Sequence, residues 1–478
     1  MNYKVILNTL GWVLIVEAAA LVLPLICALA FSEPYVLTFV ICILICGILG
    51  MLLTLPKTKD KTMFSKEGFT IVALSWIVMS IFGALPFVIS GAIPNFIDAV
   101  FETVSGFTTT GASILQDVEA LPKCMLFWRS FTHFIGGMGV LVFLVAILPL
   151  SGGNNLYLIK AESPGPSVSK LVPKVRTTAK ILYIMYTILT LIEAVLLYAG
   201  GLDIFSSLTL SFGTAGTGGF GVLNSGISGY SPYIQNVITV FMILFGVDFS
   251  IYYLILLGKI RSVFRSEEVR AYLGIVFFAI VLVTVNIRPL YNTISETVRY
   301  SAFQVAALIT TTGYSTADFD VWPEFSKTLL VTLMFVGACA GSTGGGIKVS
   351  RIMIFVKSIF KEIKIASHPK STHKVTMNGR PVEHTVIRAV NVYMAAYIVI
   401  YVISILIISL DGMDYTTNFT AVVATLNNIG PGLAKVGPTQ NFSLFSAFSK
   451  IILTFDMLAG RLEIFPMLVL FSPSAWRK

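Results

Sequence analysis

Charged side chains are scarce: Asp, Glu, Lys and Arg make up 12% of the 478 residues, about half the roughly 25% of a soluble domain. With 56% hydrophobic residues, this excludes a water-soluble globular chain and makes the bilayer the expected solvent. Cysteines number only five, Cys27, Cys42, Cys46, Cys124 and Cys339. None has metal-ligand spacing and most lie in apolar runs, which excludes a disulfide-stapled scaffold or zinc module and leaves packing. Of the four histidines, only His133 falls in the interior of a span, with no companion His or Cys, so neither a metal site nor a nucleophile–base pair is available. An enzyme is not expected. Neither a P-loop nor a Rossmann glycine signature occurs in a cytoplasmic loop, so ATP, ADP or NAD control would have to act through another polypeptide.

What is present is a series of long apolar runs. Ten candidate spans fall at 5–31, 35–55, 68–91, 125–150, 178–200, 233–258, 268–288, 327–360, 384–410 and 442–472. Glu17 and the lack of a small-residue cleavage pattern make the first a retained helix rather than a signal peptide. Several later spans exceed the roughly twenty residues that cross a bilayer, so tilt or breaks are expected, most plainly around 337–347. The segments 57–67, 160–180, 259–270 and 348–388 and the two termini hold 25 of the 33 Lys and Arg, all on one side of a ten-span chain. The positive-inside bias makes that side, with both termini, cytoplasmic. The bilayer accounts for this charge, and no nucleic-acid partner is expected. The opposite stretches carry Asp98, Glu102, Asp117, Glu119, Asp318, Asp320 and Glu324.

Four of those outer stretches share a pattern of short amphipathic segment, polar glycine cluster and new span. The clusters are Thr108-Thr109-Thr110-Gly111, Ala215-Gly216-Thr217-Gly218, Thr310-Thr311-Thr312-Gly313 and Asn427-Asn428-Ile429-Gly430, whose last glycines lie 107, 95 and 117 residues apart. This is one repeat used four times after two extra spans: 1–62 for the extra pair, then 63–160, 161–264, 265–375 and 376–478. Singly, such clusters read as polar extracellular turns. Together they suit an ion path, since non-helical backbone at membrane depth needs a polar route and carbonyl rings replace a cation's hydration shell. The fold class expected is an all-α polytopic membrane protein of four helix–pore-loop–helix repeats around a pseudo-fourfold pore, preceded by two transmembrane helices.

The chain resembles the potassium-uptake membrane subunits of the Trk/Ktr/HKT superfamily, in its TrkH branch, over essentially its whole length. The resemblance is carried by Ser105 to Ala112, Trp128-Arg129 with Gly136-Gly137-Met138-Gly139, and Glu162-Ser163-Pro164-Gly165-Pro166. Gly337 to Gly346 with Lys348, Ala424 to Gly432, and Gly460-Arg461-Leu462-Glu463 carry the rest. It implies gated potassium uptake across the cell membrane. Thr108, Thr109, Thr110, Gly111, Gly216, Thr217, Gly218, Thr311, Thr312, Gly313, Asn428, Ile429 and Gly430 would form the potassium-binding filter. Gly337, Gly341, Ser342, Thr343, Gly344, Gly345 and Gly346 would belong to an intramembrane gating loop, which the residues alone also allow to be a small-residue packing surface. Arg461 would be an electrostatic barrier in the pore, where the residues alone also allow an ion pair with Asp456 or Glu463. The resemblance further implies a homodimer on a cytosolic TrkA-like nucleotide-binding ring. The basic stretches 160–180 and 348–374 would dock it or bind anionic membrane lipid. Asp248, deep in a span, reads equally as a pore carboxylate or a partner of Lys or Arg. The alternative function is a secondary transporter coupling potassium to proton or sodium entry.

Overall fold

The computed structural model describes residues 1–55, 65–139, 175–369 and 372–476. In order, the helices are α1 (Tyr3–Ala20), α2 (Val22–Ala30), α3 (Val36–Thr54), α4 (Ser65–Gly83), α5 (Leu85–Ile89), α6 (Phe96–Phe107) and α7 (Lys123–Gly137). After the next described residue, 175, come α8 (Val175–Ala199), α9 (Ile204–Gly216), α10 (Pro232–Phe245), α11 (Phe249–Leu256), α12 (Ile260–Arg265) and α13 (Glu267–Ile287). The remainder are α14 (Ile294–Ile309), α15 (Glu324–Val336), α16 (Val349–Ser367), α17 (His384–Ile408), α18 (Tyr415–Leu426), α19 (Ala447–Arg461), α20 (Phe465–Leu470) and α21 (Pro473–Trp476).

Six stretches among the described residues are long and apolar enough to cross a membrane: Tyr3–Ala30, Val36–Thr54, Lys66–Ile89, Thr177–Ala199, Glu267–Leu290 and His384–Asp411. They coincide with six of the ten expected spans, and the chain is a multi-pass membrane protein. The other four expected spans differ from an unbroken helix. Each opens with a helix of only 13 to 15 residues, α7, α10, α15 or α19. Then α10 bends by 90° into α11, α15 stops at the Gly337–Lys348 run, and α19 stops at Leu462-Glu463-Ile464, where Glu463 and Ile464 take positive φ. The part of the fourth span beyond Gly139, and the Glu162–Pro166 motif, lie outside the described residues.

Large apolar side chains on α3, α8, α13 and α17 face outward, among them Leu44, Val195, Phe278 and Leu406, as lipid-facing surfaces should. With lipid tails as apolar as leucine, helix association relies on close packing. The α1–α3 crossing shows it: a β-carbon on Gly11 would stand 2.7 Å from Gly50 O, and one on Gly50 2.8 Å from Gly11 O. The only strands among the described residues, β1 (Thr376–Met377) and β2 (Arg380–Pro381), pair antiparallel across Asn378-Gly379, both at positive φ. Sequence reasoning misses this hairpin, although Asn-Gly is the residue pair such a tight turn favours. Asn378 Oδ1 accepts from Glu267 N–H (2.7 Å), so the turn caps α13.

Gly50→Val places a branched side chain in the α1–α3 contact. We expect a loss of about 1–3 kcal/mol, read as a lower midpoint of thermal unfolding in detergent.

Candidate functional site

The four outer stretches each place a short helix, α6, α9, α14 or α18, ahead of the cluster. Each starts on a side-chain cap: Asn95, Asp203, Thr293 and Asp414 accept backbone N–H groups of the first turn. Such caps supply partners for amides that the helix itself leaves unpaired. The Thr417 hydroxyl and amide hold the Asp414 carboxyl below the usual carboxylate range.

The helices also end alike. Thr109, Thr217, Thr311 and Asn428 are left-handed, with φ of 54°, 56°, 61° and 55°. The following amides of Thr110, Gly218, Thr312 and Ile429 reach back five residues to Ser105, Gly213, Ala307 and Ala424 oxygens, each at 2.8 Å. With the parallel bonds from Thr109, Thr217, Thr311 and Asn428 to Gly106, Thr214, Leu308 and Thr425, these are four copies of the Schellman stop.

The loops then close on one another in cyclic order. A β-carbon on Gly111 would strike Gly218 O, one on Gly219 would strike Thr312 O, and one on Gly313 would strike Ile429 O. One on Gly430 would lie 2.8 Å from Thr110 O, returning to the first loop. All four glycines have φ between 75° and 99°. The register in the second stretch is therefore one residue later than the sequence suggested. Gly219 is the counterpart of Gly111, Gly313 and Gly430, while Gly218 corresponds to Thr110 and Gly216, the last residue of α9, to Thr108. A signal for Gly219 was present: Asp203 precedes it by 16 residues, as Asn95 precedes Gly111 and Asp414 precedes Gly430.

The side chains are less uniform than the backbone. Thr108 and Thr110 pair hydroxyls at 2.8 Å, as do Thr310 and Thr312. Asn428 Nδ2 donates to Thr110 Oγ1 (2.9 Å) and Met457 O (2.8 Å), joining the fourth loop to the first. Behind the ring, Arg129 on α7 meets Glu102 on α6 at 2.6 Å, both buried. Glu102 also accepts from Ser113 Oγ (2.9 Å) and Ile114 N–H (3.0 Å). Arg129 donates to Gly221 O (3.0 Å) and lies 3.4 Å over the Phe220 ring. His133 stacks on the same Phe220, centroids 4.2 Å apart. Among the described residues no group of three His, Cys, Asp or Glu suits a metal ion.

Outside the ring lies a cavity of about 330 Å³ that all four loops line, through Gly111, Gly219, Gly313 and Gly430, with Asp318 and Arg129. The outer acidic residues mostly hold structure together. Asp98 pairs with Lys450 (2.6 Å) and Glu324 with Lys327 (2.7 Å). The Asn224 amide donates to Asp117 at 2.7 Å and holds that exposed carboxyl below its ordinary range.

On the inner side, the Gly337–Lys348 run is non-helical and pressed against the ring. Gly345 N–H donates to Thr311 Oγ1 (2.6 Å), Cys339 N–H to Gly246 O (3.0 Å) and Phe249 N–H to Gly341 O (3.1 Å). Glu268 Oε1 accepts from Ala340 N–H (2.7 Å), within the run, and from Ser350 N–H (3.1 Å), just beyond it on α16. No sequence signal marks that clasp. Arg461 donates to Thr343 O (2.8 Å), Gly136 O (2.5 Å) and Gly137 O (2.7 Å). It lines a cavity of about 80 Å³ with Trp76, Lys348 and the run's glycines. Of the carboxylates near it in sequence, Glu463 is in an ion pair with Arg351 and Asp456 accepts from Ser404 (2.7 Å). Asp248 caps α11 through Ser250 N–H (2.9 Å), its Oδ1 2.6 Å from where a β-carbon on Gly341 would be. Among the described residues it forms no ion pair with Lys or Arg.

Lipid-facing helices around broken helices and a closed ring of backbone loops define a polytopic membrane transport protein. The family model for TrkH, described as a cation transport protein, matches residues 35–288 and 272–478. The Escherichia coli K12 protein named Trk system potassium uptake protein TrkH is 36% identical, covering all of both chains. The Halomonas elongata protein of that name is 34% identical, again over all of both. The crystal structure of the potassium transporter TrkH from Vibrio parahaemolyticus superposes with a TM-score of 0.90 at 31% identity, covering both chains fully. The chain belongs to the TrkH family, whose members are transporters and not enzymes.

Glu102→Ala would leave Arg129 charged, buried and without its carboxylate. Breaking such a pair costs about 3–5 kcal/mol, so thermal unfolding in detergent should show a larger loss for this variant than for Glu324→Ala, where the carboxylate paired with Lys327 is exposed.

Proposed function

We propose that this chain takes up potassium through a selective pore running through the ring of four loops. The observation that carries the reading is the cyclic closure of the loops at Gly111, Gly219, Gly313 and Gly430. A closed ring of backbone leaves carbonyl oxygens facing a shared axis, where they replace the water of a permeating cation. The four short helices end at the ring, so the partial negative charge at each C-terminus, about half an elementary charge, favours a cation there. The residues 63–160, 161–264, 265–375 and 376–478 are then four repeats around one pore, following a two-span segment at 1–62. The relatives named as potassium uptake proteins support potassium as the cargo.

In this reading the Gly337–Lys348 run obstructs the inner half of the path, and Arg461 adds a positive barrier beside it. Withdrawal of the run opens the pore. The basic stretches support cytoplasmic termini, on the side where the short loops would meet a cytosolic nucleotide-binding ring, with two copies of this chain side by side. Inside-negative potential favours cation entry by about 2.3 kcal/mol per 100 mV, enough to accumulate potassium with no coupled ion.

Two measurements test this. Gly313→Ser drives a β-carbon into Ile429 O and opposes the positive φ, so potassium preference over sodium should drop at least tenfold in liposome flux assays. Unchanged preference would remove this loop from the filter. For the uncoupled mode, the reversal potential at fixed potassium should stay constant between pH 6 and 8. A shift that follows the proton gradient would instead favour coupled transport.

A further inference from the structure

We propose that Thr311 couples the Gly337–Lys348 run to the ring through a hydroxyl that serves two partners in turn. The Gly345 amide holds it while the run lies against the ring, and a permeating cation takes it when the run withdraws. This rests on the pore reading above. Thr109, Thr217, Thr311 and Asn428 occupy one structural position at positive φ, where glycine is the ordinary residue and a β-branched one is strained. Glycine would close the same turn without that strain, so the hydroxyl is what a threonine adds.

The four side chains at this position have different partners. Thr217 Oγ1 donates to Gly216 O at 2.6 Å, and Asn428 Nδ2 spans Thr110 and Met457. Thr109 Oγ1 is buried with no hydrogen-bond partner among the described residues. Asn428 also packs on Gly345, but among the four only Thr311 is hydrogen-bonded to the run, its Oγ1 accepting from Gly345 N–H at 2.6 Å. The approach is backbone-tight: β-carbons on Gly344 and Gly345 would lie 2.9 Å from Thr310 O and 2.6 Å from Asn427 O. One on Gly346 would lie 3.7 Å from Thr311 Cγ2. Both branches of the Thr311 side chain therefore face the run.

A hydroxyl oxygen has two lone pairs. An amide N–H directed at one brings partial positive charge to the oxygen and makes it a poorer cation ligand. Withdrawal of Gly345 removes that charge and frees the lone pair. The coupling is reciprocal: a cation held at the inner end of the ring weakens the grip on the run, so the permeant ion itself favours opening.

The test measures rubidium influx into liposomes holding the full-length chain. Thr311→Val keeps shape and β-branching but removes the acceptor. Losing one hydrogen bond of about 1 kcal/mol favours withdrawal of the run about fivefold, so resting influx should rise even with one hydroxyl ligand removed. Thr311→Ser, which restores the acceptor, should bring influx back toward the parent. Thr109→Val, at the equivalent position without the link, should lower influx. Unchanged or lower influx in Thr311→Val, or an equal rise in Thr109→Val, overturns the coupling. If Thr311→Val fails to insert, Thr311→Ala gives the same readout. Selectivity of Gly313→Ser decides the pore reading separately, so a selective pore without the Thr311 effect sinks only the coupling.

Discussion

The close approach of four loop backbones is the constraint on which the rest of the architecture depends. Each loop presents a carbonyl to the place where its neighbour's glycine would carry a β-carbon, so no side chain fits at those four positions. Left-handed φ at the same glycines adds a second reason for the same residue. Loops that meet this tightly need fixed origins, and each originates in a helix with a side-chain cap at its start and a Schellman stop at its end. Three of the caps stand 16 residues from their glycine, whereas Thr293 stands 20 residues before Gly313, an added turn in α14.

Broken second helices are the complement of that ring. Helices α7, α10, α15 and α19 are too short to cross a bilayer, and the backbone beyond α10, α15 and α19 turns aside beneath the loops. Irregular backbone at that depth must find partners. It finds them within the protein: Cys339 on Gly246, Phe249 on Gly341, Ala340 and Ser350 on Glu268, and three carbonyls on Arg461. The Glu102–Arg129 pair does the same work above, linking α6, α7 and the second loop. Removing both charges together would forfeit the positioning of Gly221 and Ile114 while costing less than removing one, since a lone buried charge is the larger penalty.

The spans and the glycine clusters are legible in the sequence because both depend on local composition. Six apolar runs are six spans within a few residues, and the Gly337–Gly346 run is recognisable as a break. The second loop reads one residue early because Gly216, Gly218 and Gly219 all stand near the anchor, and composition alone does not say which is left-handed. Only the distance from the cap Asp203 separates them. The ends of α10 and α19 are hidden for a different reason. Gly246-Val247-Asp248 and Leu462-Glu463-Ile464 continue an apolar pattern, and their breaks depend on contacts with residues far away in sequence. Asp248 has a local role that depth in a span does not reveal: it caps α11 at the bend through Ser250 N–H, and of its two readings the pairing with Lys or Arg is not seen among the described residues. The Glu268 clasp has no local signature, since its partners lie 72 and 82 residues further on.

The ring is fourfold in backbone, while its side chains match only between loops one and three. Loops one and three carry the Thr108–Thr110 and Thr310–Thr312 hydroxyl pairs across the diagonal. Loops two and four put Gly216 and Gly218, or Asn427 and Ile429, at those places. The backbone turn is therefore the same in all four loops while the side chains behind it differ. The inner run adds a further inequality. Its Gly344 to Gly346 segment packs on Thr310, Thr311, Asn427 and Asn428, that is, on loops three and four. Asn428, hydrogen-bonded to Thr110, and Arg461, hydrogen-bonded to Thr343 and Gly136, tie that run and that half of the ring to the first loop and α7.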